Sequence, residues 1–171
     1  VFGRLKLLRL TGIAFVLVLT GAPAQAIDLN GNGMGDIWEL LYHAQALSPT
    51  ADSDGDGLTN LQESIAGTDP LSASSTFKVT KIDFSGGNVM VHWPSYLGKR
   101  YQLTPSTDLK TWTPTGNLLA GTGSEIIATM TQPSVPTYYR VTVSDVDTTG
   151  GGLTDWEKFQ PEGLYKVKAH W

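Results

Sequence analysis

The sequence predicts an α+β protein of several units, in which a small loop-helix module precedes an antiparallel β-sandwich. Acidic and amide residues recur with one spacing in two stretches, and apolar residues at helical intervals follow each stretch. From Phe77 onward the apolar residues instead alternate with polar ones, as on half-buried strands. The charge changes at the same point, since residues 27–76 hold eight acidic and no basic residues, whereas residues 77–143 hold six basic and three acidic ones. These three observations define the two main units.

The chain begins with the features of a secretory signal peptide. Three basic residues precede an apolar run over residues 10–19, and a small-x-small cleavage site ends at Ala26. The run is shorter than the roughly 20 apolar residues that cross a bilayer. We therefore predict that residues 1–26 are removed and that the protein is secreted, or displayed at the cell surface, without membrane insertion after cleavage.

The composition excludes some partners and suggests how the fold is stabilised. Cleavage after Ala26 would remove three of the 12 basic residues and none of the 16 acidic ones, which leaves a net charge of −7. A chain this acidic is a poor partner for nucleic acid. The sequence contains no cysteine, so no disulfide can stabilise the secreted protein, and a metal ion is the expected replacement.

Two stretches of the loop-helix module, residues 27–70, fit the spacing of a twelve-residue calcium loop. Both satisfy D-x-[DN]-x-[DN]-G-x5-E in full. Calcium takes about six to eight oxygen ligands, which alternate positions of a short loop can direct inward before a glycine turns the chain. Positions 1, 3, 5, 9 and 12 provide side-chain oxygens, and position 7 provides a main-chain carbonyl. The predicted ligands are Asp28, Asn30, Asn32, Met34, Asp36 and Glu39 in the first loop, and Asp52, Asp54, Asp56, Leu58, Asn60 and Glu63 in the second.

Solvated turns are the alternative interpretation of each stretch, because Asp, Asn and Gly are also turn residues. Two complete matches favour calcium, and so does the repulsion among eight acidic residues that have no basic neighbour in sequence. The second loop offers four carboxylates and the first only three, so we predict tighter binding at the second loop.

Helical periodicity follows each loop. It predicts helices over residues 37–47 and 58–66, and Gly67 is placed to end the second one in the left-handed conformation. Cleavage would leave only Ile27 ahead of the first loop, so the entering helix of a complete EF-hand is missing. We expect the two helices to pack on each other instead.

A small polar linker over residues 71–76 leads into the predicted β unit, residues 77–144. Six short strands with glycine-rich turns between them predict a small sandwich of the immunoglobulin or fibronectin type III kind. The predicted strands are 77–84, 88–93, 100–104, a short piece near Trp112, 124–131 and 137–144.

Residues 145–171 contain a degenerate third copy of the loop and a tail. In the matching register Asp147 stands at position 1, Thr149 at position 3, Gly151 at position 5 and Lys158 at position 12. A lysine places a positive charge where the bidentate calcium ligand belongs, although Glu157 is adjacent. A solvated turn is therefore the favoured interpretation, and metal binding is the alternative.

Several stretches resemble known families. DSDGDGLTNLQE with the following AGTDP, and NGNGMGDIWEL before it, resemble the thrombospondin type 3-like or EF-hand-like calcium-binding repeats of bacterial secreted proteins. FKVTKIDFSGGNVMVHW, KRYQLTPSTDLKTW and YYRVTVSD resemble the small β-sandwich that accompanies such repeats in exported bacterial proteins. The resemblance implies an extracellular or surface module for adhesion or spacing.

The favoured function is therefore a secreted, calcium-rigidified structural or adhesion module. The three histidines lie in unrelated contexts, and no nucleophile-elbow, zincin or phosphate-loop motif is present, so we predict no enzymatic activity.

Two alternatives involve another extracellular protein or a polysaccharide as partner. Two loop-helix repeats 24 residues apart are also typical of dockerins, although positions 10 and 11 differ between the repeats, Ile37-Trp38 against Leu61-Gln62. Carbohydrate binding is suggested by four aromatic residues of the β unit, for which core packing is the competing interpretation. They are Trp93, Tyr96, Tyr101 and Trp112.

Overall fold

A computed structural model describes residues 26–160. The predicted signal peptide, apart from its last residue, and the tail after Gln160 lie outside the described residues. The fold is α+β, as predicted, and no described helix is long and apolar enough to cross a membrane. The helices are α1 (Asp36–Leu41), α2 (Asn60–Ala66) and α3 (Asp155–Lys158), and the strands are β1 (Lys81–Ser85), β2 (Asn88–Pro94), β3 (Lys99–Ser106), β4 (Leu119–Ala120), β5 (Glu125–Thr131) and β6 (Tyr138–Asp145).

The strands form two antiparallel sheets of three strands each. The first sheet has the order β1-β2-β5, and the second has the order β4-β3-β6. Gly86 and Gly87 both have positive φ and form the two-residue turn between β1 and β2. The longest ladder joins β3 to β6, from the Lys99–Asp145 pair to the Ser106–Tyr138 pair.

One hydrophobic cluster, the main core, takes residues from both sheets and from the loop-helix module. The predicted alternation of apolar and polar residues is confirmed in β2, β3 and β6, where alternate apolar residues are buried. Leu58, two residues before α2, and Ala66, the last residue of α2, belong to the same cluster. The loop-helix module therefore completes the core of the β unit. The buried members are Leu58, Ala66, Phe77, Val89, Val91, Trp93, Tyr101, Leu103, Tyr139, Val141 and Val143.

A second, smaller cluster joins the three repeats to one another. The expected packing of the first two helices is confirmed, because Trp38 of α1 and Leu61 of α2 share this cluster. Trp156 of α3 also belongs to it. In addition, the Trp38 Nε1–H donates to the Thr68 carbonyl at 2.7 Å. The degenerate third repeat is therefore packed against the first two.

The first helix is shorter than predicted. It ends at Leu41 rather than at residue 47, and His43 adopts a left-handed conformation with φ of 55°. The Ala44 N–H donates to the Glu39 carbonyl, and Ala44 is still fully buried. The apolar periodicity beyond Leu41 thus comes from a turn that folds back onto the core rather than from a continued helix.

The second helix ends as predicted, with Gly67 in the left-handed conformation at φ of 82°. It begins at Asn60, two residues later than expected, because Thr59 and Gln62 form a capping box that fixes the start.

One predicted strand begins later than expected, and the predicted short strand near Trp112 is wrong. Residues 77–80 precede β1, which begins at Lys81, although Phe77 is buried in the main core. No strand includes Trp112, because the Asp108 carboxylate accepts the Lys110 and Thr111 N–H groups and holds that segment in a turn. The short strand β4 lies later, at Leu119–Ala120.

Candidate metal sites

The three loops share one backbone geometry. In each, the aspartate at position 1 accepts the N–H groups of positions 4 and 6 at 2.8–3.0 Å. Positions 4 and 6 are glycines with φ between 67° and 97°, a region that other residues rarely adopt. The aspartates are Asp28, Asp52 and Asp147, and the glycine pairs are Gly31 and Gly33, Gly55 and Gly57, and Gly150 and Gly152.

Each loop is also closed by the backbone at position 9. The N–H of this residue donates to the carbonyl of the residue before the loop, at 2.7, 2.8 and 2.6 Å in the three repeats. The pairs are Asp36 with Ile27, Asn60 with Ala51, and Asp155 with Val146. The register predicted for the third repeat is therefore confirmed by its hydrogen bonds.

The second loop brings together most of its predicted ligands. Carboxylate oxygens of Asp52, Asp54 and Asp56 lie within 4.8 Å of one another. Four buried oxygens of this loop have no hydrogen-bond partner among the described residues, and each belongs to a predicted ligand. A calcium ion needs several converging oxygens, so this set fits the ion. The four are Asp54 Oδ2, Asp56 Oδ2, Asn60 Oδ1 and Glu63 Oε2.

Neighbouring residues fix the orientation of two of these ligands. The Asn60 amide donates from Nδ2 to the Ser48 carbonyl at 2.7 Å, which leaves its Oδ1 available. The Thr68 hydroxyl donates to Glu63 Oε1 at 3.1 Å, and both residues are fully buried. Such contacts orient metal ligands before the ion arrives.

The charge of the second loop is poorly balanced without a cation. Burial raises the pKa of Glu63 to about 8, and the charges of the three aspartates add to this effect, while the Thr68 hydrogen bond opposes it. A divalent cation among these carboxylates would favour the ionised form of Glu63.

The first loop satisfies its closing carboxylate internally. Asn30 and Asn32 donate from Nδ2 to the two Glu39 oxygens at 3.0 and 2.7 Å. Burial raises the pKa of Glu39, and these two amide hydrogen bonds oppose the increase. To coordinate calcium, both amides would have to turn their oxygens inward, which costs these hydrogen bonds. The position-7 carbonyl ligands, Met34 and Leu58, remain predictions in both loops.

In the third loop the side chain of Lys158 takes the central place. Its ammonium group lies 2.7 Å from Asp147 Oδ1, 2.8 Å from Thr149 Oγ1 and 3.1 Å from Asp155 Oδ1. These acceptors stand at positions 1, 3 and 9, which are ligand positions of a calcium loop. The hydrogen bond from Lys158 holds the pKa of Asp147 well below its usual range. This loop is thus closed by a cation of its own chain.

Sequence reasoning missed the residues that support the second loop. Thr68 contacts Glu63 through its side chain and Trp38 through its carbonyl, so it links the first two repeats. Ser64 Oγ accepts the Gly35 N–H at 2.9 Å and adds a second link. The AGTDP stretch, which contains Thr68, was the available signal, but it indicated only a family resemblance.

For two of the four aromatic residues considered for carbohydrate binding, the competing interpretation as core residues is confirmed. Trp93 and Tyr101 are fully buried in the main core, where a sugar cannot reach them. Tyr96 and Trp112 are half-buried, and the Arg140 guanidinium covers the Trp112 ring at 4.5 Å from its centroid.

Comparison with known proteins agrees with the geometry of the second loop. Residues 52–73 match the model of the bacterial TSP3 repeat. The second repeat is similar to a calcium-binding structural repeat of extracellular proteins. The match includes the second loop, α2 and Thr68. No curated protein and no solved structure matches the chain.

Proposed function

We propose that the chain is a secreted, non-enzymatic structural module in which calcium rigidifies the first two repeats and fixes them against the β unit. The observation that supports this most directly is the set of four buried oxygens in the second loop that have no hydrogen-bond partner among the described residues. Leaving such oxygens unpaired is costly, and a bound cation removes that cost.

The residues that would hold the ion in the second loop are Asp52, Asp54, Asp56, the Leu58 carbonyl, Asn60 and Glu63. Bound calcium would supply the positive charge that offsets repulsion among four carboxylates. Asn60 and Glu63 lie in α2. Ala66 of the same helix and the preceding Leu58 belong to the main core. Ligand binding would thereby stabilise the contact between the repeats and the sheets.

The proposal includes an immunoglobulin-like or fibronectin type III-like sandwich as the unit that calcium supports. The strand orders β1-β2-β5 and β4-β3-β6 support it, since they match strands A, B, E and C′, C, F of those folds. In an exported protein this unit would serve adhesion or spacing, with another extracellular protein or a polysaccharide as partner.

Calorimetric titration of the chain from Ile27 with calcium tests the proposal. We expect two binding events, the tighter one at the second loop, with dissociation constants of about 10⁻⁴–10⁻³ M, the range of extracellular modules. Calcium should also raise the melting temperature, whereas magnesium at the same concentration should do so much less. Absence of binding heat together with equal melting temperatures in calcium and in chelator would contradict the proposal.

A further inference from the structure

Glu157 of α3 is a fully buried carboxylate without a cationic side chain beside it. Its Oε2 accepts the Thr154 N–H at 2.7 Å, and its Oε1 accepts the Ile27 N–H at 3.0 Å. None of the ion pairs between described residues includes Glu157. Burial raises the pKa of Glu157. A buried carboxylate of this kind needs a positive partner.

The surrounding charges do not provide that partner. Lys99 is the nearby buried cation, and its ammonium is bound to Asp145 at 2.7 Å. The negative charge of Asp145 also acts on Glu157 and disfavours its ionised form. The carboxylates of Asp145 and Glu157 thus share the one ammonium of Lys99. One more positive charge is needed to neutralise these three residues.

Helix capping does not explain why this residue carries a charge. Glu157 forms a capping box with Thr154, and Gln62 forms the same arrangement with Thr59 in the second repeat. A neutral glutamine therefore forms the same capping box in this module. The charge of Glu157 requires a second role, and its remaining oxygen is bound to the nitrogen of Ile27.

We propose that Glu157 is the receptor for the mature N-terminus and forms a partly buried ion pair with the α-ammonium group of Ile27. Hydrolysis of the Ala26–Ile27 peptide bond consumes one water and yields an Ala26 carboxylate and an Ile27 ammonium. The nitrogen that gains the positive charge is the one already bound to Glu157 Oε1. This inference rests on the secretion included in the proposed function and on the cleavage predicted after Ala26.

The ion pair would connect the two ends of the repeat region. The Ile27 carbonyl accepts the Asp36 N–H and closes the first loop, while its nitrogen contacts α3 of the third repeat. Processing would then strengthen the contact between the first and third repeats. Charge-assisted hydrogen bonds are roughly twice as strong as neutral ones, so the processed chain should be the more stable form.

Four proteins test the proposal: chains that begin at Ile27 or at Ala24, each with Glu157 or with Glu157→Gln. The longer chain keeps the Ile27 amide hydrogen bond but moves the positive charge three residues away. Glu157→Gln keeps the capping box, as Gln62 does in the second repeat. A cleavable fusion that leaves Ile27 first provides the processed form.

With Glu157 present, the chain from Ile27 should melt about 3–8 °C higher than the chain from Ala24. With Glu157→Gln this difference should fall below about 1 °C. An equal difference in both backgrounds, or none in either, would overturn the proposal. So would N-terminal sequencing of the exported protein that found a first residue other than Ile27.

Calcium titration of the same four proteins separates this inference from the proposed function. Glu157 and Ile27 are not predicted ligands, so all four should bind calcium at the second loop with similar affinity. A melting difference that depends on Glu157 in proteins that bind no calcium would support the ion pair and contradict the calcium proposal alone. Normal calcium binding without that melting difference would overturn the ion pair alone.

Discussion

At the scale of single residues, the three loops share one backbone geometry but differ in the groups that point to the centre of the loop. The second loop presents oxygens without hydrogen-bond partners, the first presents the amide groups of Asn30 and Asn32, and the third presents the ammonium of Lys158. Calcium should therefore stabilise the second loop most and the first loop less, and it should not stabilise the third loop.

Glu63→Gln should have opposite effects with and without calcium. In chelator the variant should melt higher than the wild type, because a neutral amide avoids the cost of burying the Glu63 carboxylate, to which the charges of the three aspartates add. In calcium it should melt lower, and its affinity at the second loop should fall at least about tenfold, because the bidentate ligand is lost. Melting curves in both conditions and calorimetry check this. Asn60→Ala should weaken binding less, and an equal loss in both variants would contradict bidentate closure by Glu63.

Lys158→Glu should convert the third loop into a calcium-dependent one. In chelator the variant should melt several degrees lower than the wild type. The substitution removes the ammonium that pairs with Asp147 and Asp155 and places a third carboxylate beside them. Millimolar calcium should restore the loss and add a third binding event in calorimetry. Lys158→Met removes the ammonium without adding a ligand, so calcium should not rescue it. Rescue of both variants, or of neither, would show that Lys158 does not stand at a ligand position.

Local sequence was sufficient to predict where the two intact loops lie, whereas their calcium ligands stay predictions. The spacing of acidic residues and glycines is fixed within twelve residues, and the shared hydrogen bonds of the loops follow from that spacing. The role of Lys158 as an internal cation could not be predicted in the same way. The sequence placed its positive charge at position 12, but its hydrogen bonds to Asp147, Thr149 and Asp155 depend on how α3 packs.

At the scale of the elements, the two short helices α1 and α2 bury predicted ligands and core residues together. In α2 the buried face includes Ala66 as well as Glu63, and the Thr68 hydroxyl after the helix supports Glu63. Helix α1 shows where apolar periodicity fails to predict the backbone. Residues 42–47 have the apolar spacing of a helix but form a turn. A pattern of buried positions could not distinguish these two backbones.

Thr68→Val should lower calcium affinity at the second loop about tenfold, which is typical for loss of a group that orients a metal ligand. Valine keeps the shape of threonine and leaves the main-chain carbonyl that accepts the Trp38 N–H, so the effect should come from the lost bond to Glu63. Calorimetric titration gives the affinity. The control is Thr50→Val, since Thr50 is exposed and its side chain hydrogen-bonds to Ser48 alone among residues 26–160. Equal affinities for the two variants would show that Thr68 does not position Glu63.

At the scale of the whole molecule, the repeats and the sheets share buried surface. The alternation of β2, β3 and β6 predicted most of the main core, but the participation of Leu58 and Ala66 was not predictable from local spacing. The contact between Ile27 and Glu157 spans 130 residues, and no sequence pattern indicated it. Long-range contacts of this kind join the units that composition had separated.

Because the core is shared, calcium should stabilise strands far from the loops. At a calcium concentration 100 times the dissociation constant, the slowest amides of β2 and β6 should exchange about 100-fold more slowly than in chelator. Hydrogen-exchange mass spectrometry measures this, and Glu63→Gln should remove most of the effect. Protection limited to residues 52–68 would show that the repeats and the sheets unfold independently.

The ammonium that closes the third repeat makes this loop independent of the ions in the medium. A charge carried by the polypeptide itself cannot be diluted, chelated or exchanged for another ion. In surroundings that lose their calcium, the first two repeats would loosen while the third kept its shape beside the end of β6. The third loop would thus keep a closed contact in a medium without calcium, beside two loops that depend on the ion.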